Sequence, residues 1–396
     1  MADAGGKREI WITGIGIVSC LGEGAQAHLQ GLAQPSTADA TSFAPYVLHR
    51  IAPLDLDKQI PKKGDQRQME AWQRIGTYAA GLALDSAGAK GKTELLSQMD
   101  MIVAAGGGER DAAVDLAIAA GADKAAKPEA FVNERLMNDL RPTLFLAQLS
   151  NLLAGNISIV HGVTGSSRTF MGEEQAGVDA IRIAHSRIVA GQSELALVGG
   201  AYNVERWETV MQYALGQALA KGAHSSVWER KGAGMELGSL GAFLVLEEKA
   251  HASARGAKPL ARLAAVAADY GKRVPGSVTA ALARMWTTIG TRVDPARAAF
   301  LSGATGIEPA TAEERDFLAH HPALAVRGTG THLGHGIEAQ FPLNIALASI
   351  ALQEGRLFAP GDASGVEKPM DGTLAQVVVT SVGQWRGEGL ALVEAV

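Results

Sequence analysis

Short apolar runs recur along the chain, most of them closed by glycine: Glu9–Gly16 (EIWITGIG), Met101–Gly108 (MIVAAGGG), Asn156–Gly162, Glu194–Gly200 and Gly241–Glu248. A run of this length without polar alternation reads as a strand buried on both faces, and the glycines mark tight turns. Helical stretches lie between them at Trp72–Ala87, Arg141–Leu153 and Gln175–Val189. In the last of these Val178, Ile181 and Ile188 share one face at helical spacing. The later part of the chain repeats the pattern, with strands expected at Leu260–Ala267, Ala298–Ser302, Gln376–Ser381 and Leu390–Val396 and helices at Val278–Gly290 and Pro342–Leu357. Such alternation predicts an α/β fold. It divides into two similar halves, 1–248 and 249–396, joined through the charged, small-residue stretch Glu248–Lys258. The alanine-rich region Glu109–Leu140, broken by Pro128, is expected to be a cap inserted at about 109–150.

Composition narrows the class. The 396 residues are 47% hydrophobic and 19% charged, enough apolar material for a large core. No apolar run reaches the length of a membrane span, and Met1–Arg8 is polar without a signal-peptide core, so the expectation is a cytoplasmic protein with no membrane association. A net charge of −5 and no basic stripe argue against nucleic acid, while an acidic carrier protein needs only a local patch. The single cysteine, Cys20, excludes an internal disulfide or a cysteine-rich metal site.

Four segments carry a resemblance. Arg8–Gly22 (REIWITGIGIVSCLG), Leu152–Gly165 (LLAGNISIVHGVTG), Ser193–Gly200 and Gly238–Gly256 (GSLGAFLVLEEKAHASARG) resemble, in order and wording, the β-ketoacyl-ACP synthases of the elongating type, over nearly the whole chain. The resemblance implies the thiolase fold, two similar halves in a five-layer αβαβα sandwich that forms a tight dimer. It also implies chemistry without a cofactor on chains held by an acyl carrier protein.

The positions that would carry that chemistry are altered. Where the family has T-A-C-x-S-G, with a cysteine whose thiolate is favoured at a helix N-terminus, this chain has Phe170–Gly177 (FMGEEQAG), and counting back from Gly177 places Glu174 at the nucleophile. An acyl group on a carboxylate would be a mixed anhydride, poorly matched to thioester exchange. The first family histidine falls on Gly303 within Leu301–Glu314, and its aspartate on Thr311, while Glu314 is kept. The lysine falls on Gly330 within Arg327–Phe341 (RGTGTHLGHGIEAQF), and the second histidine is retained as His335. Glu338 to Phe341 replace a run of small residues there. The gating loop reads Ser381–Gly389 (SVGQWRGEG), with Val382 and Gln384 at its two aromatic positions; Trp385, with Phe341, is a candidate to fill the substrate tunnel. The glutamate of the family's G-E-G-A-G turn is Ser239, and its R-P-F-D segment reads Ser226–Glu229 (SVWE).

Plain structural roles are expected for several other features. Glu173 and Glu174 suit the first turn of any helix, where the macrodipole favours a carboxylate by roughly 0.3–1 kcal/mol. Cys20 reads as a small buried hydrophobe. His332 and His335 have H-x-x-H spacing, with His320 and His321 not far before, but the surrounding glycines argue against the helix a metal pair needs, and no metal site is assigned. Gly106–Gly108 reads as a backbone-shape requirement, and Trp207, Trp228 and Trp385 as packing residues. Two functional readings remain. One is a condensation-incompetent accessory subunit, similar to a chain-length factor, that pairs with itself or with an active synthase. The other is altered chemistry, such as malonyl-ACP decarboxylation or acyl-thioester hydrolysis, with Glu174 and His335 as an acid–base pair.

Overall fold

The computed structural model of the chain describes residues 8–396 except 107, 109, 141–143, 145–147, 231 and 233. Ten strands form one path through an eleven-stranded sheet. In chain order they are β1 (Ile10–Ser19), β2 (Asp100–Ala104), β3 (Ser167–Phe170), β4 (Leu195–Tyr202), β5 (Leu240–Glu248), β6 (Ala261–Lys272), β7 (Ala298–Ser302), β8 (Ala325–Gly328), β9 (Gln376–Val382) and β10 (Arg386–Glu394). The eleventh, Gly22–Glu23, folds back on the end of β1. Spatially the order is β8-β7-β9-β10-β6-β1-β5-β4-β2-β3. From the middle outward, β1-β5-β4-β2-β3 on one side repeats as β6-β10-β9-β7-β8 on the other. In both, the first two pairings are antiparallel and the last two parallel. The two runs join only where Trp11 and Ile12 of β1 face Arg262 and Ala261 of β6.

Burial explains the sequence pattern. All ten residues of β1 are buried, which is why it reads as an unbroken apolar run rather than an alternation. Six helices order the layers: α1 (Ala71–Ser86), α2 (Leu152–His161), α3 (Glu173–Val189), α4 (Ser277–Ile289), α5 (Ala310–Ala319) and α6 (Gln340–Gln353). Helix α6 is buried on every side through its first thirteen residues, as a helix packed between two sheets must be. It shares a core with α3 and with strands of both runs. Helix α1, entered through a capping box of Glu70 and Gln73, and α2 cover the outer face of the first run. Helices α4 and α5 cover the outer face of the second. These are the five expected layers.

Some local expectations fail. Asn156–Gly162, expected as a strand, lies in α2, which ends at Gly162 with φ 77° in the left-handed region glycine supplies. A short apolar run fits a buried helix and a buried strand equally, and tertiary packing decides between them. The expected helix Arg141–Leu153 falls partly outside the described residues; within it Leu144 is helical, 148–151 are not, and α2 begins at Leu152. Strands β3 (SRTF) and β8 (AVRG) carry too little apolar sequence to stand out. The cap region holds helices Ala112–Ala122 and Pro128–Asp139, packed on each other.

Candidate functional site

Glu174 lies in the first turn of α3, just after the edge strand β3. Gly172, φ 116°, and Glu173, φ 55°, turn the chain sharply between strand and helix. Gly177 lets α3 approach the segment before α6, since a Cβ there would stand 2.2 Å from the carbonyl oxygen of Glu338. The turn aims Glu174 inward. Its Oε1 accepts a hydrogen bond from His335 Nε2 at 3.0 Å, and both side chains are only 3% exposed. His335 is itself pinned through its backbone: its N–H donates to the Glu236 carbonyl at 2.8 Å, and its carbonyl accepts from Gly238 N–H at 2.9 Å.

Gly303 and Gly330 present no side chain. The amide of Gly303 donates to Thr380 Oγ1 at 3.0 Å. That hydroxyl in turn donates to Glu314, fully buried, which also accepts from Ser302 Oγ at 2.7 Å. Burial pushes the Glu314 carboxyl above its ordinary range. The carbonyl of Gly330 accepts from Arg230 Nη2 at 3.2 Å, and that of Thr305 from Arg230 Nη1 at 3.0 Å. Arg230 thus passes Gly330, and a Cβ on Gly306 would stand 2.7 Å from its Cδ. A carboxylate and an imidazole therefore meet at the start of α3, and residues 303 and 330 contribute backbone alone.

The model of the β-ketoacyl synthase N-terminal domain matches residues 7–252. The chain belongs to the β-ketoacyl synthase family. It is 25% identical over 65% of its length to 3-oxoacyl-[acyl-carrier-protein] synthase 2 of Vibrio harveyi, and the match spans 62% of that relative, about three-fifths of its length. Its fold is that of the ishigamide ketosynthase/chain length factor, at a TM-score of 0.81 and 18% identity over 99% of this chain and 100% of the other. It is also similar in fold to a β-ketoacyl synthase from Burkholderia phymatum, at a TM-score of 0.78 and 18% identity, covering 98% of this chain and 100% of that one. The architecture is the thiolase fold.

In this family member the segment aligned with the gating loop is a tight hairpin between β9 and β10. Ladder pairs continue to Val382 and Glu388. Arg273 donates to the Glu388 carboxylate and to the Gly383 carbonyl, closing the turn. Val382 is buried in the outer core of the second run, and Phe341 lies in the core between the sheets. Gln384 is half-buried, and Trp385 at the tip is 53% exposed, its ring 3.8 Å from where a Cβ on Gly216 would be. None of the four lines the cavity that opens beside Glu174.

That cavity, of about 490 Å³, is bounded by Gly106, Met171, Glu173, Tyr202, Arg206 and Glu338, among others. Glu338 is fully buried, and its Oε1 accepts from the Gly106 amide at 2.5 Å. Burial, reinforced by the charge of Glu174, pushes its carboxyl up to about 7. Tyr202 and Tyr213 are also raised, chiefly by burial. Three non-glycine residues among those described have left-handed φ, and two of them, Glu173 and Ile337, line this cavity. Strained backbone of that kind persists where the surroundings over-determine it. Nothing in the local sequence marks Glu338 as a buried acid, because its partner Gly106 is more than two hundred residues away.

The other candidates separate. His332 Nε2 faces the Gln34 carbonyl at 3.1 Å while His335 faces Glu174, so the H-x-x-H pair shares no ligand position. His320 caps the Asp316 carbonyl at 2.7 Å, and His321 stacks on Trp286. Cys20 donates its S–H to the His332 carbonyl, and burial pushes its thiol up to about 12, which makes it unreactive. Trp228 is buried with Nε1 on Glu367, and Trp207 lies half-exposed against Phe43. Gly107 of the Gly106–Gly108 turn lies outside the described residues.

Proposed function

We propose that this chain is a condensation-incompetent, accessory subunit of fatty-acid or polyketide synthesis. It pairs with an active β-ketoacyl synthase and shapes the chain that synthase elongates on an acyl carrier protein in the cytoplasm. The observation that carries this reading is Glu174: a buried carboxylate held 3.0 Å from His335 in the nucleophile's place, with only glycine at 303 and 330. Such a site has no atom to carry an acyl thioester.

The free edge of β3 supports a partner. Among the described residues Ser167–Phe170 pairs only with β2 and is exposed to half-buried, with Met171, 66% exposed, next to it and Ile159, 69% exposed, on the adjoining α2. An uncovered strand edge beside exposed apolar side chains is a surface a second chain would complete. In this reading Val382 and Phe341, packed into the core, fill space that an open gate and tunnel would need, while Gln384 and Trp385 stand on the hairpin away from the cavity. Co-expression with a cognate active synthase is expected to yield a heterodimer that elongates acyl chains, with neither chain active alone. A synthase that elongates to the same length and rate without this chain would sink the reading.

A second reading draws on the same pair. Glu174 and His335 stand within direct proton-transfer distance, as an acid–base pair for malonyl-ACP decarboxylation or acyl-thioester hydrolysis would. Incubation with malonyl-ACP followed by mass spectrometry separates the two: the accessory role expects the thioester to stay intact, whereas loss of carbon dioxide or free carrier thiol establishes the enzyme.

A further inference from the structure

Among the described residues, one grouping of three histidine or carboxylate side chains brings a ligand atom from each within 4.8 Å of the others: His49, His224 and Glu236. They come from three separate places, the stretch before α1, the loop after helix Trp207–Leu215, and the chain just before β5. His224 Nδ1 lies 2.7 Å and His49 Nε2 2.9 Å from the same oxygen, Glu236 Oε2. The rings meet edge to face with centroids 5.6 Å apart. Oε1 of the carboxylate is fixed by the Ser225 amide at 3.1 Å. The side chains of His49 and Glu236 are fully buried, and that of His224 is 25% exposed.

We propose that His49, His224 and Glu236 form a binding site for a divalent transition ion of the zinc class, with water as the remaining ligand on the exposed side of His224. Two imidazole nitrogens and one carboxylate oxygen are the donor set such ions take when a coordination position stays open. The ligand atoms lie 2.7–2.9 Å apart in the two pairs that share Oε2. A tetrahedron with bonds of about 2.05 Å has edges of about 3.3 Å, so the group needs to open by about half an ångström. His224, partly exposed on its loop, is the ligand free to move.

Arg230 is the group that opposes a cation, since its Nη2 stands 3.1 Å from Glu236 Oε2. Its guanidinium is also carried by three backbone carbonyls, of Ser225, Thr305 and Gly330, and does not depend on Glu236 alone. Ionisation of the bound water, which a zinc-class ion promotes, would let hydroxide and Glu236 together balance the ion. The ion would join three segments around Glu236, whose carbonyl holds the His335 amide. The site borders the Glu174–His335 pair through that backbone bond, and the proposal does not depend on the accessory role.

Elemental analysis of the full-length chain, purified without chelator, together with cobalt(II) titration followed by visible d–d absorption, tests the site. The expected result is one ion per chain, a low-symmetry cobalt spectrum, and a zinc-dependent rise in melting temperature. His224→Ala, which remains folded by circular dichroism because the residue is partly exposed, is expected to weaken zinc binding by at least about 100-fold, the upper end of what losing even an outer partner costs. His49→Gln is expected to do the same. Absence of both stoichiometric metal and a cobalt band overturns the proposal, leaving four groups joined by hydrogen bonds alone. Undiminished binding in both variants also overturns it, by placing the ion elsewhere.

Discussion

Strand β3 ends one run of the sheet and β8 ends the other, at equivalent places in the same strand order, yet the two edges are finished differently. Three of the four residues of β8 are buried. The chain that follows wraps back over them, anchored by Arg327, whose Nε donates to the Phe358 carbonyl at 2.6 Å and Nη1 to the Lys368 carbonyl at 3.0 Å. No residue of β3 reaches that degree of burial. An open strand edge is a liability that proteins cover or use. The second half covers its own edge with its own chain, and the first half offers its edge outward, which is why the partner is proposed there.

Prolines and deletions at the two edges should act in opposite ways. The amides of Met101 and Ala105 bond to the carbonyls of Ser166 and Phe170, so alternate residues of β3 face β2 and Thr169 turns its N–H outward. Thr169→Pro is expected to leave the isolated chain folded, by circular dichroism, and to weaken association with the partner by about 100-fold or more in sedimentation analysis. An unchanged association constant would place the interface elsewhere. At the other edge, Arg327→Met removes charge-assisted bonds to partly buried carbonyls and is expected to cost about 2 kcal/mol of stability by chemical denaturation. It should not change partner affinity beyond that loss, and a selective loss of affinity would break the contrast between the edges.

The central helices carry a parallel contrast. Helix α3 opens with Glu173 and Glu174, and α6 is preceded by strained Ile337 and by Glu338. Glu338 has a folded pKa of about 7 against an ordinary 4.5. Between those values the folded state holds a proton that the unfolded state has lost, so stability falls as pH rises from about 4.5 to about 7. The full span is about 3 kcal/mol, an order-of-magnitude figure. Glu338→Gln keeps an acceptor for the Gly106 amide and is expected to flatten that slope in denaturation curves measured across this range. Persistence of the full slope would assign it to another group. The smallest effect is expected at α3: Glu174→Cys restores the nucleophile's element but not the groups absent at Gly303 and Gly330, so condensation of malonyl-ACP with acyl-ACP, followed by mass spectrometry, is expected to stay at background. Recovery of turnover would show that the cysteine alone had been limiting.

Much of the frame was legible in the sequence. Unbroken apolar runs such as Ile10–Ser19 and Ala298–Ser302 report strands buried on both faces, because burial forces hydrophobic side chains onto every position. Long amphipathic helices such as α3 and α4 report themselves through one apolar face. The glycines and strand residues around Glu174, Gly303, Gly330 and His335 are what align those positions with the family's motifs. Tertiary structure alone decided the rest. Asn156–Gly162 became helix with Ile157 packed under the first run and Ile159 left exposed, a choice that periodicity over seven residues cannot specify. Glu174 found His335 from 161 residues away, and Glu338 found Gly106 from 232. Whether a carboxylate is a solvated first-turn residue or a buried acid depends on which groups the fold brings beside it. That proximity, and the desolvation that comes with it, is written in the packing of the layers and not in any local stretch of the chain.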